Sequence, residues 1–214
     1  PDDGTHYKLA DYISFGYHIE ANTDSQTSSA YPWRVAANPA ANAEVSVSKP
    51  GQTTVYSTLA AFRDATNEGE TFAGYTVKLL KDVAYSSSNY WTPIGCMNAD
   101  VYFAGIFDGN GHKVEGLNID TEQLGSTPDY WPGGFFGYTW GATIKNLKIY
   151  GQADCAGMVG YAGYTNISDC ESHMDSELCY NISGGFIAHA EAYVNLSNCK
   201  NYGNFICKTS ANYA

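Results

Sequence analysis

The sequence predicts an all-β chain wound as a parallel β-helix (β-solenoid) with an N-terminal capping helix. A degenerate repeat in the second half carries that reading. Gly105, Gly134, Gly157 and Gly185 anchor four copies, 29, 23 and 28 residues apart. Each anchor is followed by an apolar pair: Ile106/Phe107, Phe135/Phe136, Met158/Val159 and Phe186/Ile187. A second pair closes each copy: Val114/Leu117, Ile144/Leu147, Ile167/Cys170 and Leu196/Cys199. Self-similarity at that period means stacked units, none of which buries its apolar face alone. Composition agrees. Of 214 residues only 15% are charged, against 22 Gly and 18 Tyr, which disfavours helical bundles and disorder. The glycines and the β-branched and aromatic runs make the repeat units strands, and the leucine ladder of leucine-rich repeats is missing.

Residues 1–50 stand outside the repeat. Ile13, Phe15, Tyr17 and Ile19 alternate as in one half-buried strand, and the Asn-, Ser- and Pro-rich stretch to Ala43 reads as loop. This segment is either a small domain or a strand wrapped on the next one. Residues 51–214 form the capped β-helix. Within it the pattern predicts a helix over 57–69, with Ser57 as N-cap, Leu59, Phe62 and Ala65 on one face, and Gly69 as stop. The first unit of a solenoid exposes strand edges and an open core, so an amphipathic helix just ahead of it suits a cap. The strand Val77–Leu79 begins the first coil. The start at Pro1 and the end inside what reads as another coil lead us to expect a piece of a longer protein.

A net charge of −11 argues against nucleic acid or an anionic membrane surface as partner. No apolar run reaches the roughly 18 residues of a membrane span, and no signal-peptide pattern opens the chain. Six cysteines follow the repeat rather than a disulfide framework. Cys170 and Cys199 occupy the slot of Leu117 and Leu147, as small buried hydrophobes do. Stacked slots lie about 4.8 Å apart with parallel Cβ vectors, which favours free thiols over bridges.

The segments Phe72–Val83, Tyr90–Gly95, Phe103–Ile119 (with "FDGNGHKV") and "GGFFGY…TIKNLKI" resemble bacterial surface proteins with GLUG-type repeats. The resemblance covers about residues 57–207 and implies a right-handed, pectin-lyase-like β-helix on an exported, modular chain. It also implies cysteine in the Cys170/Cys199 slot. Ala188 and His189 depart from the Gly-Tyr of the two preceding copies.

Asp108, His112 and Glu115 form a tempting acid/base set, yet Asp-Gly-Asn-Gly is turn chemistry first. Asp154, Asp169, Glu171, Glu177 and Glu191 offer pairs for glycoside cleavage but are scattered. The repeats hold no arginine to serve a lyase; Arg34 and Arg63 lie outside them. Cys170, Cys179, His173 and His189 lack metal-ligand spacing. Three sequons, at Asn166, Asn181 and Asn195, read as turn residues. No catalytic or metal-binding residue and no cofactor are assigned.

The aromatics suggest more. Tyr138 and Tyr161 share one slot, with His189 next in line, while Trp140, Tyr164 and Tyr193 follow two to four residues on. Stacked copies would align them as a ring stripe suited to sugars or proteins. The expected function is a rigid extracellular display or adhesion module, secreted or attached to a bacterial surface. It would bind a host or neighbouring-cell protein or glycan through Tyr138, Trp140, Tyr161, Tyr164 and Tyr193, without membrane insertion. A polysaccharide-active hydrolase or lyase on the same scaffold is the rival, and a non-binding spacer the third reading.

Overall fold

The computed structural model describes residues 17–21, 33–37, 42–120, 123–124, 132–178 and 183–207. The chain is mostly β, 47% strand against 8% helix, and its sheets are largely parallel. It divides into two compact units, 1–43 and 44–214. Ile13, Phe15, Cys179 and Asn181 lie outside the described residues.

In the first unit, β1 (Tyr17–Ala21) pairs antiparallel with β2 (Trp33–Ala37), Ile19 opposite Val35. β2 corrects the expectation of loop up to Ala43. Its Trp-Arg-Val core has strand propensity that the surrounding Asn, Ser and Pro conceal in any composition window.

The second unit opens on a hairpin that the repeat reading overlooked. Strands β3 (Val45–Lys49) and β4 (Gln52–Tyr56) pair antiparallel around Pro50-Gly51, with Gly51 at φ 76°. Proline followed by a glycine of positive φ is the chemistry of a type II turn. Helix α1 (Leu59–Asn67) follows, with Leu59, Phe62 and Thr66 buried. Its N-cap is Thr58, not Ser57: the Thr58 hydroxyl accepts the Ala61 N–H at 3.1 Å. The Glu44 carboxylate accepts the Leu59 N–H at 2.7 Å, placing an anion at the positive end of the helix.

The remainder is built from recurring strands. The first coil gives β5 (Thr76–Leu79) and β6 (Val83–Ala84), and the copy anchored at Gly105 gives β7 (Ile106–Asp108) and β8 (Lys113–Ile119). The next gives β9 (Phe136–Trp140), β10 (Thr143–Lys145) and β11 (Lys148–Ala153). Then come β12 (Val159–Gly163), β13 (Asn166–Ser168) and β14 (Glu171–Leu178). The last copy gives β15 (Ile187–Ala190), β16 (Asn195–Ser197), β17 (Lys200–Asn201) and β18 (Phe205–Cys207).

Strands of the same slot pair in parallel from copy to copy. One sheet runs β4-β3-β5-β7-β10-β13-β16, a second β6-β8-β11-β14-β17 with β18 also on β14, and a third β9-β12-β15. Only the contacts of β3 in the first sheet are antiparallel. Identical slots meet in register, so Val77, Phe107, Ile144, Ile167 and Leu196 form one line. The first four are buried; Leu196 is 48% exposed. Phe62 of α1 lies 4.9 Å from Phe72, 6.0 Å from Phe103 and 5.9 Å from Phe107, which ties the helix to the aromatic core. Among the described residues no helix is long and apolar enough to cross a membrane.

Candidate aromatic binding face

The third sheet carries the candidate face. Along β9, Phe136 and Thr139 are buried while Tyr138 and Trp140 are half-exposed, so the strand holds its core with one face and offers rings on the other. Gly160 keeps the backbones close: a Cβ there would lie 1.8 Å from the Pro132 carbonyl oxygen. Beneath the rings, Thr139 and Thr165 share a buried hydroxyl hydrogen bond of 3.0 Å.

Register sets Tyr138 against Tyr161 and Tyr161 against His189. The Tyr138 and Tyr161 rings meet edge-to-face at 5.4 Å, and Tyr161 stacks on His189 at 4.6 Å. Tyr102 extends this row at the other end, 5.5 Å from Tyr138. Sequence spacing hid it, because Phe103 bridges Thr139 only after an excursion closed by the Cys96–Val101 bridge. That excursion carries Asp100.

A second row adjoins the first. Trp140 lies 6.2 Å from Tyr138 and 5.0 Å from Tyr164, and Tyr164 stacks on Tyr193 at 5.5 Å. All five rings expected on one stripe are therefore brought together. Tyr164 is 47% and Tyr193 80% exposed. Both sit in the left-handed region, at φ 51° and 48°, where Trp140's neighbour Gly141 has φ 71°. Left-handed backbone is costly for bulky side chains, and glycine or asparagine is the cheap answer.

Tyr161 donates its hydroxyl hydrogen bond to the Glu191 carboxylate. That bond, with burial and the nearby negative charge, pushes the phenol up to about 12. Tyr138 is also raised, by burial first and then by Asp100 and Glu191. Both carboxylates thus project their field onto the rings.

The other candidates disperse. The Asp108 carboxylate accepts from the Asn110 N–H and from Asn146 Nδ2. His112 Nδ1 pairs with Asp82 at 3.0 Å, and Glu115 with Lys113 at 2.6 Å. The three do not converge. His173 is stacked between Tyr150 (4.2 Å) and Tyr202 (4.5 Å), a second ring ladder whose histidine middle slot hid it in the sequence. Its Nε2 lies 3.4 Å from Glu171, which sits 3.5 Å from Lys148. Hydrogen bonding to His173 is the main cause holding the Glu171 carboxyl below its usual range. Asp169 accepts from Asn198 Nδ2 at 2.6 Å, and Asn166 from Asn195 Nδ2 at 3.0 Å. Cys170 and Cys199 are free thiols on neighbouring copies. Cys170 donates to the Ser168 carbonyl at 3.1 Å and Cys199 to the Ser197 carbonyl at 3.4 Å, and the mutual influence of the two neighbouring thiols raises Cys170 and lowers Cys199. No group of three or more His, Cys, Asp or Glu among the described residues is arranged to hold a metal.

A polar cavity of about 220 Å³ lies on the second sheet, lined by Asn118, Asp120, Gln152, Asp154, Asp175 and Ser176. Asp120 accepts the Gln123 N–H and Asp175 the Asn204 N–H, so two of its carboxylates serve the backbone. Compared with known protein families, curated proteins and solved structures, the chain matches none.

Proposed function

We propose that the chain is a right-handed parallel β-helix module of a bacterial surface protein of the GLUG-repeat kind, with α1 capping its first coil. It is secreted or held at the cell surface and binds an extracellular protein or glycan through the aromatic face of the third sheet. In-register pairing of like slots over successive copies supports the β-helix, as does α1 packed on the aromatic core near its first strands.

The observation that carries the binding role is the pair of exposed tyrosines on left-handed backbone. Phe72 also sits on left-handed backbone, at φ 55°, but its ring is buried in the core; a ring kept there in water, as at Tyr164 and Tyr193, points to a use outside the fold. Tyrosine supplies contact area at low entropic cost, and a dense ring cluster is the usual centre of a binding patch.

The test is a screen of the chain and of a Tyr138→Ala/Trp140→Ala/Tyr161→Ala variant on arrays of glycans and extracellular proteins. Circular dichroism checks that the variant folds. Binding by the parent that is lost in the folded variant supports the reading. Binding untouched by the substitutions moves the site elsewhere, and no binding at all favours a spacer. Cleavage of a polysaccharide that depends on Asp120 or Asp154 would favour the enzyme reading, for which the polar cavity is the observation.

A further inference from the structure

The three sheets differ in how they handle charge. On the first two, carboxylates meet lysines: Asp108 with Lys145 at 3.4 Å, Glu171 with Lys148 at 3.5 Å, Glu115 with Lys113 at 2.6 Å. The aromatic sheet has no such partners. Residues 94–104, 132–142, 156–165 and 183–194 contain no lysine or arginine. They do contain Asp100 and Glu191, and among the described residues no ion pair reaches either.

Elsewhere the chain sets its own cations over rings. Lys49 lies over Tyr75 at 4.4 Å, and Arg63 over Trp91 at 4.9 Å. On the third sheet Tyr164 and Tyr193 are more exposed than either of these rings, yet no cation–ring contact of the described residues covers the tyrosines there. A positive group placed there gains from the ring faces and from the two carboxylates together.

We propose that the aromatic face receives a basic peptide segment, an extended stretch of a partner protein carrying arginine or lysine. This rests on the aromatic-face reading and chooses a protein over a glycan. Rings with carboxylates beside them would hold a sugar through its hydroxyls as well, but only a cation gains from the ring faces and from the uncompensated charge of Asp100 and Glu191 together. The chain's charge of −11 adds long-range attraction for such a partner. Guanidinium groups are the better match, since they stack on rings and bond carboxylates in one geometry.

The probe is a fluorescent peptide alternating Arg and Gly, compared with a copy in which Gln replaces every Arg. Binding to the full chain is read by fluorescence anisotropy, with a neutral β-glucan oligosaccharide run alongside by calorimetry. The expected result is at least tenfold weaker binding of the Gln copy. Asp100→Asn/Glu191→Gln should weaken the Arg peptide several-fold, and Tyr138→Ala/Tyr161→Ala at least tenfold. Asp64→Asn/Glu68→Gln, which removes equal charge from exposed positions on α1 and just past its end, should leave it unchanged. If the Arg peptide does not bind, or if the helix variant weakens it as much as the sheet variant does, the proposal is overturned. A neutral sugar bound through Tyr138 and Tyr161 would also overturn it while the aromatic-face reading stands. Ring-independent binding of every probe would sink both.

Discussion

Two turns of the repeat place the same demand on the backbone and meet it differently. Between the first and second sheets, Asn146, Asp169 and Asn198 hold the left-handed position at φ 54°, 55° and 51°. Their short side chains tolerate that region and bond along the stack: Asn146 to Asp108 at 3.0 Å, Asn198 to Asp169 at 2.6 Å. At the far end of the third sheet the equivalent positions are Gly141, Tyr164 and Tyr193. Only the glycine follows the conformational rule. The first turn is chosen for the fold. The second tolerates about 1–2 kcal/mol per tyrosine to keep rings in water. The contrast is between a turn whose side chains bond within the stack and one whose rings stay exposed.

The comparison breaks first if the rings prove to be core. Tyr138→Ala/Trp140→Ala/Tyr161→Ala should abolish ligand binding, a loss of about 2 kcal/mol or more, with the circular dichroism of the parent retained. Loss of fold in that variant would make the face structural. The buried line gives the opposite pattern: Ile167→Ala should cost about 2–4 kcal/mol in urea unfolding. Leu196→Ala, the same slot at 48% exposure, should cost under about 1 kcal/mol. Placing a ring on the other turn sharpens the contrast. Asp169→Tyr removes the Asn198 bond and adds left-handed strain, so it should destabilise by about 1–3 kcal/mol.

A smaller effect concerns the Tyr161–Glu191 bond. The folded phenol, at about 12, lies above the ordinary value near 10. The stabilisation from this bond is therefore full below about pH 10 and lost as pH rises toward 12. Glu191→Gln should bring the Tyr161 transition back toward ordinary phenols in a spectrophotometric titration. An unchanged transition would mean that the carboxylate does not hold the hydroxyl.

Much of this was legible in the residues. Like apolar slots after each glycine announced strands that pair in parallel from copy to copy, because inward positions must recur when units stack. The ring rows were legible for the same reason. What escaped lay where the period is interrupted or spoken in other residues. Tyr102 follows an excursion that no spacing rule spans, and His173 stands where its ladder partners are tyrosines. The β3–β4 hairpin lies ahead of the repeat, although Pro50-Gly51 and the alternation of Val45 and Val47 were there to mark it. Thr58 rather than Ser57 caps α1 because the cap is decided by which hydroxyl reaches the Ala61 N–H. The left-handed tyrosines were invisible, since no residue pattern declares a strained φ.

The most direct measurement is urea unfolding and ligand binding of Tyr164→Asn/Tyr193→Asn beside the parent chain. Asparagine relieves the left-handed strain and gives up ring contacts worth about 0.5–1.5 kcal/mol each. If the rings are held for recognition, stability should stay level or rise by up to about 1 kcal/mol while binding falls at least tenfold. A drop in stability of more than about 1 kcal/mol, or binding that survives intact, would contradict a functional reason for placing tyrosine there.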